Sequence, residues 1–530
     1  MINNRNNLAI LVFLAMALLG TACDQVAQVP TPPTPGTPSP TDPANAIYVR
    51  AGASNGNGTA SSPYGTIGEA VRKAKAGDTI RVAAGTYRET VRIDKRLTLI
   101  GDPGATIKGS EVWEGWVREG SYWTKPYNPT FYRPLRGVCR SSSNSRCLYP
   151  DQVFIDGQPQ FQETSLEQVG PGDFYVGNGK IYLGSDPLGR TVEVTMRYRW
   201  LEGTAGASDV VIKGFTFRHA AVEVQHGGIY DGGGPRWRIE GNDIAYAHGA
   251  GVETDGPGTQ VLNNLIHHNG QIGLVGQGEN LVIRGNKVYQ NNTEDFEPGW
   301  EAGGSKWALV KNLLVENNES YQNDGPGFWC DVYCNGVTFR GNRLHHNTGP
   351  GILFEISRSC TMENNQAWEN GFGFPNWGWG AGLVVQNSSG CTVRGNVVAW
   401  NADGISVVQQ DRDDYTEVTG NRVENNTIAV KATGQLSLVM AWLSDISNKT
   451  LYTNGTNSGD QNRFYREPTV STQSVTYRAQ LAWITEMDSL AQFKATPGGG
   501  PNSRDLDRNE LNGILSAAGV PLVPERTTVR

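Results

Sequence analysis

Val337-Thr338-Phe339-Arg340-Gly341-Asn342-Arg343-Leu344-His345-His346-Asn347-Thr348-Gly349-Pro350-Gly351-Ile352-Leu353-Phe354-Glu355 carries the marks that repeat along this chain. A short apolar run ends at an Asn, a second Asn follows five residues later, and a Gly four residues beyond it opens another apolar run. The first Asn recurs at 242, 264, 286, 318, 342, 365, 396 and 421. The second recurs at 269, 291, 323, 347, 370, 401 and 426. A coil of about two dozen residues with three short strands and fixed turns cannot bury its apolar face alone, so it must stack on its own neighbours. This predicts an all-β solenoid, a parallel β-helix. Asn tolerates left-handed backbone and stacks amide on amide. Both Asn columns therefore read as structural.

The Gly serves as a ruler. Gly251, Gly273, Gly327 and Gly351 open the third strand of the plain coils, whereas Gly303 and Gly382 come eight residues late. Two aromatic-rich loops, NTEDFEPGWEA and GFGFPNWGWGA, thus enter at one corner of the solenoid. Side chains alternate along a strand. Phe328, Cys330, Val332, Ile352, Phe354 and Ile356 are expected inside; Trp329, Asp331, Leu353 and Glu355 are expected outside. The same register puts Asp255, Gln277, Trp307, Asp331, Glu355 and Gln386 in one outward column, with Lys306 beside it. Carboxylates on neighbouring coils lie about 5 Å apart. That matches the roughly 5–5.5 Å of retaining glycosidases, in which one acid attacks the anomeric carbon and the other protonates the leaving oxygen. Like charges so close push their proton affinities apart. Asp331 and Glu355 are the candidate catalytic pair. Trp329, Lys306, Trp300, Trp377, Trp379, Asp255 and Gln386 are the candidate substrate contacts. The structural alternative leaves Asp331 solvated and pairs Glu355 with Arg358.

The rest of the chain fits an exported protein. Residues 1–23 carry one positive charge at Arg5, an apolar run from Leu8 to Leu19, and end in small residues before Cys23. The run is too short for a spanning helix and reads as a signal. Residues 24–46 form a Pro/Thr-rich spacer. Residues 47–107 give an N-terminal cap and first coils, with a helix over Ile67 to Lys75. Residues 108–200 break the rhythm and read as a β-rich insertion. Residues 201–430 are repeat coils. In 431–530, helices over Leu481 to Lys494 and Leu506 to Ala518 are expected to cover the open end, whose strand edges would otherwise pair with other chains. The net charge of -7 gives no reason to expect nucleic acid. Export favours disulfides. Six cysteines besides Cys23 allow fifteen pairings; proximity and stacking favour Cys139–Cys147, Cys330–Cys334 and Cys360–Cys391.

The run Gly65 to Ile93, GTIGEAVRKAKAGDTIRVAAGTYRETVRI, resembles the opening of right-handed parallel β-helix enzymes of the pectate-lyase-like type, where an amphipathic helix caps the first coil, and this implies a right-handed parallel β-helix here. The end of the leader resembles a bacterial lipobox, with Gly20 where Leu is usual; this implies cleavage and lipidation at Cys23 and a lipid-anchored envelope protein. The early insertion followed by Asp331 and Glu355 one coil apart resembles the β-xylosidases of glycoside hydrolase family 120. That resemblance implies Asp331 as nucleophile and Glu355 as acid/base.

Three functions compete: a monomeric, cofactor-free retaining glycoside hydrolase acting on short oligosaccharides; a polysaccharide lyase using Lys306, or Asp255 with Glu253, and calcium; and a non-catalytic glycan-binding surface protein. His267-His268 and His345-His346 are not a metal site, since neighbours on a strand point to opposite faces; they join Tyr289, Tyr321 and Trp368 in a stacked column. Asp505-x-Asp507-x-Asn509 lacks the Gly and Glu of a calcium loop and reads as a helix cap.

Overall fold

The computed structural model describes residues 46–525 apart from 129–130, 132–133, 375–376, 413–416, 432–435, 447–450, 452–455, 468–473, 481–483 and 497–499. The leader, all but the last residue of the spacer, and Cys23 lie outside the described residues. No helix among the described residues is long and apolar enough to cross a membrane.

Three 13-stranded sheets run the length of a right-handed parallel β-helix, each taking one strand per coil. The inward positions explain its cohesion. Ile239, Val261, Ile283, Val315, Phe339, Met362, Val393 and Val423 stack in register across seven strand pairs of one sheet. All are buried. Apolar and often β-branched, they suit a pleated surface that is covered on one face.

The Asn columns hold the corners. Asn286 donates its backbone N–H and side-chain Nδ2 to Asn318 Oδ1 at 2.9 and 3.0 Å, and Asn318 Nδ2 donates to Ile283 O and Asn342 Oδ1. The left-handed residue is not the ladder Asn but the one before it: Gly241, Asn263, Gly285, Asn317, Gly341, Asn364 and Gly395 in the first column. The expected register slips in the last coil. Asn396 bonds to Asn426, and Asn421 takes the place beneath Cys391. A five-residue spacing between two like residues makes this slip invisible in the letters.

The insertion forms an eight-stranded sheet between Ser110 and Thr195, with a core around Trp116, Phe174 and Val194. The solenoid ignores it: Val91–Ile93 pairs directly with Leu201–Gly203, and Ala105–Lys108 with Thr216–Ala220. Buried Glu193 locks it down by accepting from Arg88, Lys108 and Ser110.

At the N-terminus the capping helix is Ile67–Lys73, started by the Thr66 side chain. At the C-terminus the expected first helix is shorter. Ile484–Met487 pairs antiparallel with Ser474–Gln480, and a Ser489 capping box delays the helix to Leu490–Lys494. Its Phe493 stacks on Tyr477 at 4.7 Å and joins the core end. Asp507 caps the helix Arg508–Ala518 as expected. This helix packs Leu511 and Leu515 against Trp368 and Trp400.

Cys139 and Cys147 are disulfide-bonded. Cys330, Cys334, Cys360 and Cys391 are free buried thiols, which corrects two expected bonds. Thr361 pairs with Thr392, so Cys360 and Cys391 stack in register. Stacked in-register side chains stand about 4.8 Å apart, beyond the roughly 3.5–4.5 Å that a disulfide sets between Cβ atoms. Cys334 Sγ instead donates to the carbonyls of Trp307 and Asp331. Burial pushes the Cys330 and Cys360 thiols well above their ordinary range, so they stay protonated.

Candidate active site

The strands Phe328–Asp331 and Ile352–Glu355 pair in parallel, Cys330 opposite Phe354, which puts the two acids side by side at the strand ends. Phe328, Cys330, Ile352 and Phe354 enter the core, and Trp329 and Leu353 face out, as the alternation requires. Val332 and Ile356 do not continue inward. They take left-handed backbone, φ 52° and 47°, and end both strands at the acid. Such backbone costs a β-branched residue of order 1–3 kcal/mol, and strain of this kind clusters at functional sites.

Asp331 and Glu355 are 8 and 7 % exposed. Asp331 Oδ2 lies 2.9 Å from Lys306 Nζ, while Oδ1 is buried without a partner among the described residues. Lys306 also reaches Glu301 Oε2 and Trp300 O, and stands 3.9 Å over the Trp329 ring. Burial works against the Lys306 charge, but Glu301 and Asp331 outweigh it and hold the ammonium above its ordinary value. Burial raises Glu301 despite Lys306. Glu355 Oε1 accepts from Arg412 Nη1 at 3.0 Å. Burial, then the Asp331 charge, push Glu355 up to about 7, with Arg412 and Lys306 opposing.

A cavity of about 190 Å³ opens onto Glu355. Trp329, Leu353 and Val384 line it from the strands, next to Pro326 and Pro350; the two aromatic loops contribute Pro298, Gly299, Phe374 and Trp379, with Phe374 against Gly299; Gln386, Gln410 and Arg412 form a further wall beside Glu355. Both aromatic loops thus contribute to the lining. The indole N–H groups of Trp329 and Trp379 are buried without partners among the described residues. Asp331 flanks the cavity and is not part of its lining.

Of the residues expected from sequence, Trp329, Trp379, Glu355 and Gln386 meet at this cavity, with Asp331 and Lys306 against it. Lys306 faces outward. Trp307, expected outward, is in the core opposite Cys330, and Ala308 takes its column position beside Asp331. The true ruler there is Gly304, because left-handed Gly303 adds a residue at the loop exit. Trp377 packs partly buried against the cluster of Trp329 and Leu353. Trp300 packs with Leu135, Cys147 and Phe296 of the insertion contact. Asp255 lies three strands from Asp331 and accepts from Tyr230 at 3.3 Å. Its neighbour Glu253 is tied to Arg199, His226 and Gly227 N.

Sequence reasoning missed Glu301, Gln410 and Arg412. Glu301 had a signal, a carboxylate in the loop five residues before Lys306. Arg412 lies beyond the last regular coil, where no ruler reaches. Arg358, proposed as the structural partner of Glu355, is exposed on the next strand.

The histidine pairs are structural in a different way than expected. His267, Tyr289, Tyr321, His345 and Trp368 stack at 4.3–5.0 Å. His268 and His346 are left-handed and turn their Nδ1 atoms to 2.7 and 2.9 Å from those of His267 and His345. No group of three or more His, Cys, Asp or Glu among the described residues is arranged to hold a metal.

The segment behind the first loop belongs to the insertion. Arg140 N donates to Asp295 O, Glu297 N donates to Val138 O, and Arg140 pairs with Asp324. The disulfide-closed segment therefore braces the wall that carries Pro298 and Glu301.

The sequence matches a family described as the right-handed beta helix region over residues 203–298 and 227–381. It also matches a family described as periplasmic copper-binding protein (NosD) over 311–473 and a protein family of unknown function, DUF1565, over 50–130. No curated protein matches the chain by sequence. Among solved structures, the complex of XylC with xylose is similar over 81 % of this chain and 86 % of its own, at 19 % identity and TM-score 0.63. The A-module of the Azotobacter vinelandii mannuronan C-5 epimerase AlgE4 matches over 83 and 94 %, at 14 % identity and TM-score 0.47. The chain shares the β-helix architecture of carbohydrate-active proteins.

Proposed function

We propose that this chain is a retaining glycoside hydrolase of the cell envelope, of the family 120 type, acting on short oligosaccharides. The observation that supports it is the pair of buried carboxylates at the ends of adjacent in-register strands, one paired with Lys306 at 2.9 Å and the other carrying a proton near neutrality. Asp331 attacks the anomeric carbon as the glycosidic C–O bond breaks, and Glu355 gives its proton to the leaving oxygen. Water then loses a proton to Glu355, attacks the same carbon and frees Asp331. Two inversions give net retention. Asp331 Oδ1 must turn toward the cavity, and no hydrogen bond holds that oxygen back. The unpartnered indole N–H groups suit sugar hydroxyls, and the apolar lining suits a ring face. The cavity is smaller than the roughly 300 Å³ at which drug-sized sites begin, which suits a single terminal sugar. A protein of this fold, XylC, has been seen with xylose.

A lyase needs a base that gives up its proton easily, and Lys306 is held charged by two acids. The match to a periplasmic family fits export; lipidation of Cys23 is the anchoring we propose with it. The test is to change Asp331 to Asn and Glu355 to Gln separately and assay aryl glycosides, following the product anomer by NMR. Turnover that survives both changes sinks the assignment. An unsaturated product favours the lyase, and glycan binding without turnover favours the binding protein.

A further inference from the structure

Arg412 is out of place in a site built for a neutral sugar. It lines the cavity, its side chain is 42 % exposed, and among the described residues its one partner is Glu355. One Nη1 hydrogen serves that bond, and the other N–H groups of the guanidinium have no described acceptor. Gln410 lies on the same wall, and its Oε1 accepts from Gln386 Nε2 at 2.6 Å, which leaves the Gln410 amide N–H groups as donors. A planar fork beside an amide donor matches a carboxylate.

The other cation of the site is already engaged by carboxylates of the protein. Lys306 is shared by Glu301 and Asp331. Arg412 also opposes the role proposed for Glu355, since a guanidinium on a carboxyl favours its ionised form. A site that keeps such a group beside its acid has a use for it when substrate is bound.

We propose that the sugar held in this cavity is a uronic acid, its carboxylate received by Arg412 and Gln410. This rests on the glycosidase reading and specifies its substrate class. The carboxylate shares the guanidinium and so weakens its hold on Glu355. It also brings a negative charge close to Glu355, which strengthens the hold of Glu355 on its proton. The substrate thereby sets its own acid.

The test has two arms. In the first, calorimetry measures binding of sodium glucuronate and galacturonate against glucose and galactose. The wild type should favour a uronate by roughly 10- to 100-fold, the worth of a charge-assisted fork. Arg412→Gln should bring the ratio toward one, and Arg412→Lys should restore part of it. Equal binding of acid and neutral sugars, or a preference untouched by Arg412→Gln, overturns the proposal whether or not the chain hydrolyses anything. In the second arm, aryl uronides and the matched neutral glycosides are assayed with the wild type, Asp331→Asn and Arg412→Gln. Uronide turnover that needs Asp331 and whose advantage over the neutral partner falls in Arg412→Gln supports it. Neutral glycosides turned over as well as uronides overturn the uronate while leaving the glycosidase standing. Turnover that persists in Asp331→Asn removes the glycosidase itself.

Discussion

Replacing Lys306 by Met removes a cation that two buried carboxylates share. Lys306 is 9 % exposed, and Asp331 and Glu301 each bond to it. Taking one partner from a buried ion pair costs about 3–5 kcal/mol. Unfolding entropy of about 2.1 cal/mol/K per residue over the 480 residues from Ala46 to Glu525 amounts to about 1 kcal/mol/K, so the melting point should fall by about 3–5 °C at pH 8. The loss should depend on pH. Without Lys306 the folded carboxylates hold their protons more tightly than the unfolded ones do. Stability is then kept below the unfolded value near 4 and lost as pH rises through the raised folded values. Melting followed by circular dichroism at pH 4, 6 and 8 should show the variant near wild type at pH 4 and farthest from it at pH 8. Adding Glu301→Gln removes one of the two stranded charges and should recover about half the loss. A variant equally destabilised at pH 4 and 8, or no recovery in the double variant, refutes the shared-cation account.

Glu355 should impose an alkaline limb: kcat/KM falls tenfold per unit above about pH 7 as its proton is lost, and a flat profile from pH 6 to 9 contradicts its role as acid. Changing Cys139 and Cys147 to Ser frees the segment that braces the wall carrying Pro298 and Glu301. Turnover should drop severalfold while melting of the solenoid changes little; unchanged kcat and KM would show that the brace is unnecessary. Asn318→Ala strips the partner from the Asn286 backbone N–H and removes three more bonds, which predicts a loss of about 3–5 kcal/mol in urea unfolding. Buried Asp403 accepts from Leu438 N, and burial raises it to about 7. Its folded value exceeds its unfolded one, so its contribution is present below pH 4 and fades toward 7. Asp403→Asn keeps the acceptor and should flatten melting point against pH across that interval; an unchanged slope counts against it.

The solenoid was readable because its determinants repeat. Inward apolar positions and paired Asn residues leave the same mark in every coil, and the stacking of Asp331 on Glu355 followed from counting. Counting failed where the chain left the period. One left-handed glycine at a loop exit sent Trp307 into the core and left Lys306 facing out. The five-residue spacing of like Asn residues concealed a slip at Asn421. The expected Cys360–Cys391 bond used strand spacing where the separation of Cβ atoms decides. The aromatic loops announced themselves, yet which rings face the cavity depends on what packs behind them: Trp300 turns to the insertion and Trp379 to the site. Arg412 touches Glu355 across 57 residues from an irregular segment, and no local pattern encodes such a contact.

The direct pairing of Val91–Ile93 with Leu201–Gly203 means that the coils are complete without anything between them. The insertion is thus a passenger for the solenoid and a builder of the site, because its closed segment backs the loop bearing Glu301. Sequence change within residues 110–195 reaches the cavity only through the loop that it backs, so a library confined to that stretch would shift the wall carrying Pro298 and Glu301 while leaving both the lining residues and the stack beneath them unaltered.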